Sequence, residues 1–253
     1  MRLYYSNYYN RLGDEIQMTA LLKHLRSKGI EIDYHDRTGM AGILFPDNLT
    51  TFVHGNNGHG CFETRNLWIW APLLRSRGIY TEVKGAYEPD IDVVFAPVVM
   101  PSYNKARGFS NERISELFDL IVSRWPNSLL VVDATHRRVI AQRDKVVFST
   151  SFPQTFDLIR RSKVFLGGDT GTGHYAGGIG HPNMVLLYPD MSQDQWAFRG
   201  EVEYMAKHLA EPDFMLHKWD STPCCDPSHM TILQMDAHSQ AVADALEACL
   251  LKQ

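Results

Sequence analysis

The hydrophobic pattern opens with a strand-like run at residues 2–5. It then takes helical spacing over residues 14–28, at Ile16, Thr19 and Ala20, Leu21 and Leu22, and Leu25. Gly29 stops that helix, and Ile30-Glu31-Ile32-Asp33-Tyr34 alternates as a half-buried strand does. A strand, a helix and a strand in this order are the seed of a parallel sheet. A second helical stretch over 64–77 again ends at a glycine, Gly78, ahead of a strand-like run at 79–83. The turn-rich residues 86–90 then lead into Ile91-Asp92-Val93-Val94-Phe95, a buried type of strand. The pattern assigns all of these to one small doubly wound layer.

Between residues 97 and 109 the composition shifts to Pro, Ser, Asn, Lys and Gly, as suits a crossing between two domains. A helix follows over 111–124, stopped by Trp125-Pro126-Asn127, and then a compact strand over 128–132. Val146-Val147-Phe148, a helix over 155–161, Val164-Phe165-Leu166 and a strand over 184–188 continue the alternation, and residues 236–251 have the Ala and Leu spacing of a closing helix. The predicted class is α/β, with an N-terminal domain over 1–96, a C-terminal domain over 97–235 and the closing helix over 236–253.

Composition narrows the function classes. At 253 residues, 44% apolar and 21% charged, the chain can bury a sizeable core. A formal charge of −4 and a pI near 6.2 give no global basic field for nucleic acid or membrane. The four cysteines, Cys61, Cys224, Cys225 and Cys249, lack disulfide-framework spacing, and the opening residues lack the apolar core of a signal peptide. A reduced cytoplasmic setting is expected. No apolar run approaches the ~20 residues that span a bilayer.

The strongest candidate chemistry runs from Val164 through Gly167-Gly168-Asp169-Thr170-Gly171-Thr172-Gly173-His174 to Tyr175-Ala176-Gly177-Gly178. A buried strand delivers the chain to a glycine-rich turn, and a helix starting near Thr172 points its positive end there. Such a turn cradles a diphosphate. Asp169 and Thr170 are the candidate caps, and His174, on the first helical turn, is placed to donate to a phosphate oxygen. The competing reading is an ordinary strand-to-helix turn with a surface histidine.

This segment resembles the nucleotide-sugar motif of the lipopolysaccharide heptosyltransferases, family 9 of the glycosyltransferases. Their pattern is Asp-Thr-Gly with a His further on and a later Gly-x-Pro, here Gly180-His181-Pro182. The same family opens with Gly-Asp ahead of a Thr-x-Leu-Leu helix, matched by Gly13-Asp14 and Thr19-Ala20-Leu21-Leu22. The resemblance implies a GT-B fold, two Rossmann-like domains facing across a cleft. It implies inverting, metal-independent sugar transfer from a nucleotide-diphosphate donor, a co-substrate rather than a cofactor. Carried over residue by residue, the general base falls on Asp14, whose competing role is a helix N-cap.

The resemblance also places basic help for the diphosphate after the corresponding strand. Lys105 or Arg107 fits, with Ser102 a further hydroxyl donor, and Asp133 is the candidate for the ribose, with Thr135 beside it. The family normally runs longer, and the shortfall lies in the acceptor-binding half. The acceptor therefore stays open among a glycan, a small molecule, a protein or a hydroxymethylated DNA base. Arg137-Arg138 and Arg160-Arg161 are the basic clusters that keep DNA in view.

Weaker signals are the loop His54 to Gly60 on the acceptor side and the Trp68 and Trp70 pair, which suits core packing. Two metal signals are discounted. Asp90-Ile91-Asp92 has DxD spacing but reads as a strand start, and Cys224-Cys225 lacks the C-x₂₋₄-C spacing of zinc sites. Two rival functions remain. Gly13-Asp14-Glu15 also suits a polysaccharide pyruvyl transferase, and a nucleotide-sugar sensor without turnover would keep the same cradle.

Overall fold

A computed structural model describes residues 2–6, 12–29, 31–35, 40–45, 51–52, 61–62, 82–83, 85–97, 109–133, 144–149, 151–168, 170–188 and 227–252. The chain divides into two compact units, residues 1–84 with 191–226 and residues 85–190 with 227–253.

In the first unit, β1 (Arg2–Ser6), β2 (Glu31–His35), β3 (Thr51–Phe52) and β4 (Cys61–Phe62) form a parallel sheet in the order β3-β2-β1-β4. The 16-residue helix α1 (Leu12–Ser27) joins β1 to β2, and a short α2 (Ala41–Leu44) follows. Among the described side chains of α1, Leu12, Glu15, Ile16, Thr19 and Leu22 are buried, at the spacing of a stripe that a helix turns toward a sheet. Thr19 Oγ1 donates to the Ile16 carbonyl at 2.7 Å and accepts the Glu82 N–H at 3.0 Å, while Lys23 pairs with the Glu82 carboxylate. Residue 82 is thereby tied to the middle of α1. The helix expected over 64–77 and most of the strand expected over 79–83 lie outside the described residues.

The second unit holds six parallel strands in the order β10-β9-β8-β5-β6-β7. They are β5 (Ile91–Ala96), β6 (Leu129–Asp133), β7 (Val146–Ser149), β8 (Ser162–Gly168), β9 (Met184–Tyr188) and β10 (Met230–Gln234). Read from β7, chain order runs 3-2-1-4-5-6, the Rossmann arrangement, with its switch point between β5 and β8. The first unit repeats the 3-2-1-4 part, with its switch point between β1 and β4.

One face of the six-stranded sheet is covered by α3 (Asn111–Arg124) and α6 (Ser239–Leu250). Ile114, Leu117, Phe118 and Ile121 pack there with Val93, Phe95, Leu130, Val132, Val164, Leu166 and, from α6, Val242 and Leu246. Each fully buried side chain of this size contributes roughly 1.5–3 kcal/mol. The apolar alternation of the strands turns the intervening residues to α4 (Phe152–Arg160) and α5 (Gly171–Gly178), which pack on each other. Arg113 of α3 bonds Ser239 and the Ala237 carbonyl at the start of α6, joining the two helices of the first face.

Three expectations change. Residues 91–95 were assigned to the first layer, but β5 is the central strand of the second sheet, hydrogen-bonded to β6 and β8, so the boundary falls at 84/85 rather than 96/97. The expected closing segment is not separate: α6 covers the second sheet, preceded by β10, a strand that the hydrophobic pattern does not predict. Finally, α1 begins at Leu12, which puts Asp14 inside the first helical turn and not at the N-cap.

Candidate functional site

Open parallel sheets bind ligands outside the carboxyl ends of their strands, at the switch point. In the second unit that place is the end of β5 and β8, where Ala96 pairs with Gly167 and Gly168 pairs with Leu187 of β9. The chain leaving β8 there enters α5 after two residues, so the glycine-rich segment is delivered to the switch point by the sheet itself.

Four of the eight residues of α5 are glycine, each costing about 1 kcal/mol relative to alanine, so the helix needs outside support. It has caps at both ends. Thr170 is the N-cap: extended, with Oγ1 accepting the Gly173 N–H at 3.4 Å and its carbonyl accepting the His174 N–H at 3.0 Å. At the other end Gly180 adopts φ +68, the Gly180 N–H bonds the Gly177 carbonyl and the His181 N–H bonds the Ala176 carbonyl, both at 3.0 Å. This is a Schellman stop, and Pro182 follows it. The Gly-x-Pro motif is therefore a helix terminator at the amino edge of the sheet, away from the cradle.

The helix is also packed on all sides, with Gly173 through Gly178 buried and Tyr175 stacked on Phe156 of α4 at a ring separation of 3.7 Å. Close approach explains Gly173: a Cβ there would stand 2.6 Å from the Gly168 carbonyl oxygen. At Gly167 a Cβ would meet the Phe165 ring at 2.6 Å. Gly173 thus lets the first turn of α5 lie against the end of β8, while Gly167 makes room for the Phe165 ring of its own strand.

An α-helix gives its first N–H groups no internal acceptor, and its dipole makes that end positive. With Gly173 and His174 bonded to Thr170, the amides offered outward are those of Gly171 and Thr172. The hydroxyls of Thr170 and Thr172 lie 2.7 Å apart. One hydroxyl proton of that pair lies between the two oxygens, which leaves the other to donate elsewhere. His174 is 5% exposed, so the reading of it as a surface residue does not hold.

The remaining predicted residues divide by position. Asp133 ends β6 at the same carboxyl edge, paired in register with Ser149 of β7. Gly13 and Asp14 occupy the first turn of α1, the helix that follows β1 in the first unit. Asp169, Ser102, Lys105 and Arg107 lie outside the described residues, as do Thr135, Arg137, Arg138, the loop from His54 to Gly60, Trp68, Trp70, Cys224 and Cys225.

Two charge clusters serve the fold. Arg161 forms a two-pronged pair with Asp90 at 2.8 and 2.5 Å, Arg160 pairs with Asp157 at 2.7 Å, and Lys163 pairs with Asp92 at 2.7 Å. The Arg161 hydrogen bond holds the Asp90 carboxyl below its ordinary pKa. The Arg160-Arg161 cluster is thus committed internally, and both carboxylates of the DxD spacing are matched by cations at the amino edge. Among the described residues no group of three or more His, Cys, Asp or Glu could hold a metal ion, and no helix is long and apolar enough to cross a membrane.

His181, inside the Gly-x-Pro motif, is fully buried against the edge of the Tyr87 ring. Its Nδ1 accepts the Asn183 N–H at 3.2 Å and its Nε2 donates to the Ser162 carbonyl at 2.9 Å, which joins the starts of β8 and β9. Burial lowers its pKa from 6.5 to about 4. A folded pKa below the unfolded one means that acid favours unfolding: the stability is complete above pH ~6.5 and drains away as the pH falls toward 4. At ~1.4 kcal/mol per pKa unit the loss is roughly 3 kcal/mol. Urea midpoints measured from pH 7 to pH 4 are expected to fall accordingly, and a His181→Gln protein to show a flatter dependence.

No protein-family model matches the sequence, and no curated protein matches it. Solved structures do. The E. coli heptosyltransferase WaaC with ADP aligns over 98% of this chain and 100% of its own, with TM-score 0.60 and 12% identity. A glycosyl transferase family 9 protein from Veillonella parvula aligns over 100% and 97%, with TM-score 0.60 and 11% identity. The iron-containing dodecameric glycosyltransferase TibC from enterotoxigenic E. coli aligns over 74% and 57%, with TM-score 0.53 and 12% identity. At these identities the likeness is one of fold: the chain has the α/β fold of the GT-B glycosyltransferases and is similar to the family 9 heptosyltransferases over nearly its whole length.

Proposed function

We propose that this protein is a glycosyltransferase that moves a sugar from a nucleotide-diphosphate donor to an acceptor hydroxyl, with inversion and without a metal ion. The observation that carries the reading is the Thr170-capped start of α5 at the switch point of a Rossmann sheet, in a fold shared with an ADP-bound heptosyltransferase. The amides of Gly171 and Thr172, a threonine hydroxyl and His174 are the donors for the diphosphate, with Asp169 beside them and Lys105 or Arg107 supplying positive charge. Asp133 takes the ribose hydroxyls.

In the transfer, the Asp14 carboxylate takes the acceptor hydroxyl proton as that oxygen bonds to the anomeric carbon. The bond from the anomeric carbon to the donor diphosphate breaks on the opposite face, and the nucleoside diphosphate leaves with the electron pair. Charge develops on the leaving oxygen, where preorganised donors are most effective. Metal independence is supported by the ion pairing of Asp90 and Asp92, which gives both carboxylates of the DxD spacing a cation partner. The donor comes from the ADP-, UDP- and GDP-sugars, and transfer to a glycan, small molecule, protein or hydroxymethylated base is assayed in EDTA. Retained turnover with an inverted anomeric centre by NMR is expected. Loss of turnover that Mg²⁺ or Mn²⁺ restores would contradict the metal-free mechanism.

A further inference from the structure

We infer that Phe152 is the platform on which the nucleobase of the sugar donor stacks. The inference rests on the reading of the start of α5 as the diphosphate cradle. Among the described residues Ile43, Phe152, Ile232 and Leu251 are the exposed large hydrophobics, and Phe152 is the aromatic one, 48% exposed. It opens α4, and Phe156, four residues on, lies on the same face of that helix. The face is turned to α5: Phe156 stacks on Tyr175 with ring centroids 3.7 Å apart and planes 6° apart. Phe152 stacks on Phe156 at 6.1 Å and 24°. Three rings thus run from the cradle helix to the first turn of α4, and the outermost meets solvent.

The start of α4 is fixed on the end of β7. Ser151 caps it, accepting the Gln154 N–H at 3.5 Å. Ser149, the last residue of β7, donates to the Ser151 carbonyl at 2.9 Å and lies 2.6 Å from the Thr155 hydroxyl. Ser149 also pairs in register with Asp133 of β6. Along the carboxyl edge the order is therefore the cradle after β8, then β5, then Asp133 on β6, then Phe152 beyond β7. Adjacent strands are ~4.8 Å apart, so the row spans about 14 Å, comparable with an extended nucleoside diphosphate. With the diphosphate at α5 and the ribose at Asp133, the base falls at Phe152. A flat apolar ring suits it, because every base has a π-face to stack.

The test uses the full chain with Phe152→Leu, Phe152→Trp and Thr170→Ala. Melting temperature, Kd for the ADP-, UDP- or GDP-sugar that binds the wild type, and kcat and KM for transfer are measured. Phe152→Leu keeps an apolar side chain and removes the ring, so a merely structural role would survive it. It is expected to remain folded and to bind donor about 5- to 150-fold more weakly, the ~1–3 kcal/mol that one stacked base contributes. KM should rise with Kd while kcat holds. Phe152→Trp, with a larger π-face, is expected to bind at least as tightly as the wild type. A Phe152→Leu protein that fails to fold or binds donor as tightly as the wild type overturns the inference. So does a Phe152→Trp protein that binds as weakly as Phe152→Leu. If Thr170→Ala loses the donor in those cases, the cradle reading stands; if no donor binds the wild type, both readings fall.

Discussion

Replacing Asp14 by asparagine is expected to cut transfer by about two to four orders of magnitude, the usual contribution of a positioned general base, while donor binding stays at the wild-type level. The substitution keeps the shape of the side chain and removes its ability to take a proton. It also removes one negative charge from the first turn of α1, worth only about 0.3–1 kcal/mol, so the protein should remain folded. Donor affinity should hold because Asp14 belongs to the first unit and the cradle to the second. Steady-state kinetics with calorimetry on the same sample separate the two quantities. A variant that binds donor and transfers within a few-fold of wild type would remove Asp14 from the mechanism.

The second large effect is expected at Gly173. A methyl group there would stand 2.6 Å from the carbonyl oxygen of Gly168, a backbone atom with no rotamer to change, so α5 must move away from β8. Overpacking of this kind costs about 1–3 kcal/mol, or roughly 2–12 °C in melting temperature for a chain of this size. The displaced part is the helix start itself, so donor affinity should fall with stability. Gly180→Ala is the contrasting case. It has open space but holds φ +68, so its cost is conformational, about 1–2 kcal/mol, and lies at the far end of α5. Gly180→Ala should lose stability and keep donor affinity. Equal donor affinity in the Gly173→Ala and Gly180→Ala proteins would separate the helix start from the cradle.

Much of this architecture is readable from local pattern. The helix expected over 111–124 is α3 residue for residue, because Ser110 caps it and Trp125-Pro126 ends it, and β9 was equally clear as a continuous apolar run. The placement of β5 was not readable. The sequence shows a strand at 91–95, but its longest pairing is with β8, some 70 residues on, and that partner decides the sheet. β10 was missed because Met230-Thr231-Ile232-Leu233-Gln234 follows a Cys, Asp, Pro and Ser run that reads as loop, and an edge strand needs little apolar alternation.

The candidate site was legible as a segment but not glycine by glycine. Which glycine is required depends on how closely α5 approaches β8, a distance that no periodicity contains. The burial of Glu15 was hidden for a similar reason. Glutamate ordinarily reads as solvent-facing, and only its place in the stripe with Leu12, Ile16 and Leu22 gave a hint.

The central claim is that the start of α5 holds the diphosphate of a nucleotide sugar. Its most direct test is isothermal calorimetry of ADP-, UDP- and GDP-sugars against the wild type and against Thr170→Ala, with Tm followed in parallel and a CMP-sugar, which has a single phosphate, as the negative control. One donor should bind the wild type saturably and at 100 times its Kd stabilise it by about 2.7 kcal/mol, and Thr170→Ala should lose most of that affinity while remaining folded. Absence of binding by every one of these donors, or undiminished binding to a folded Thr170→Ala protein, would contradict the account.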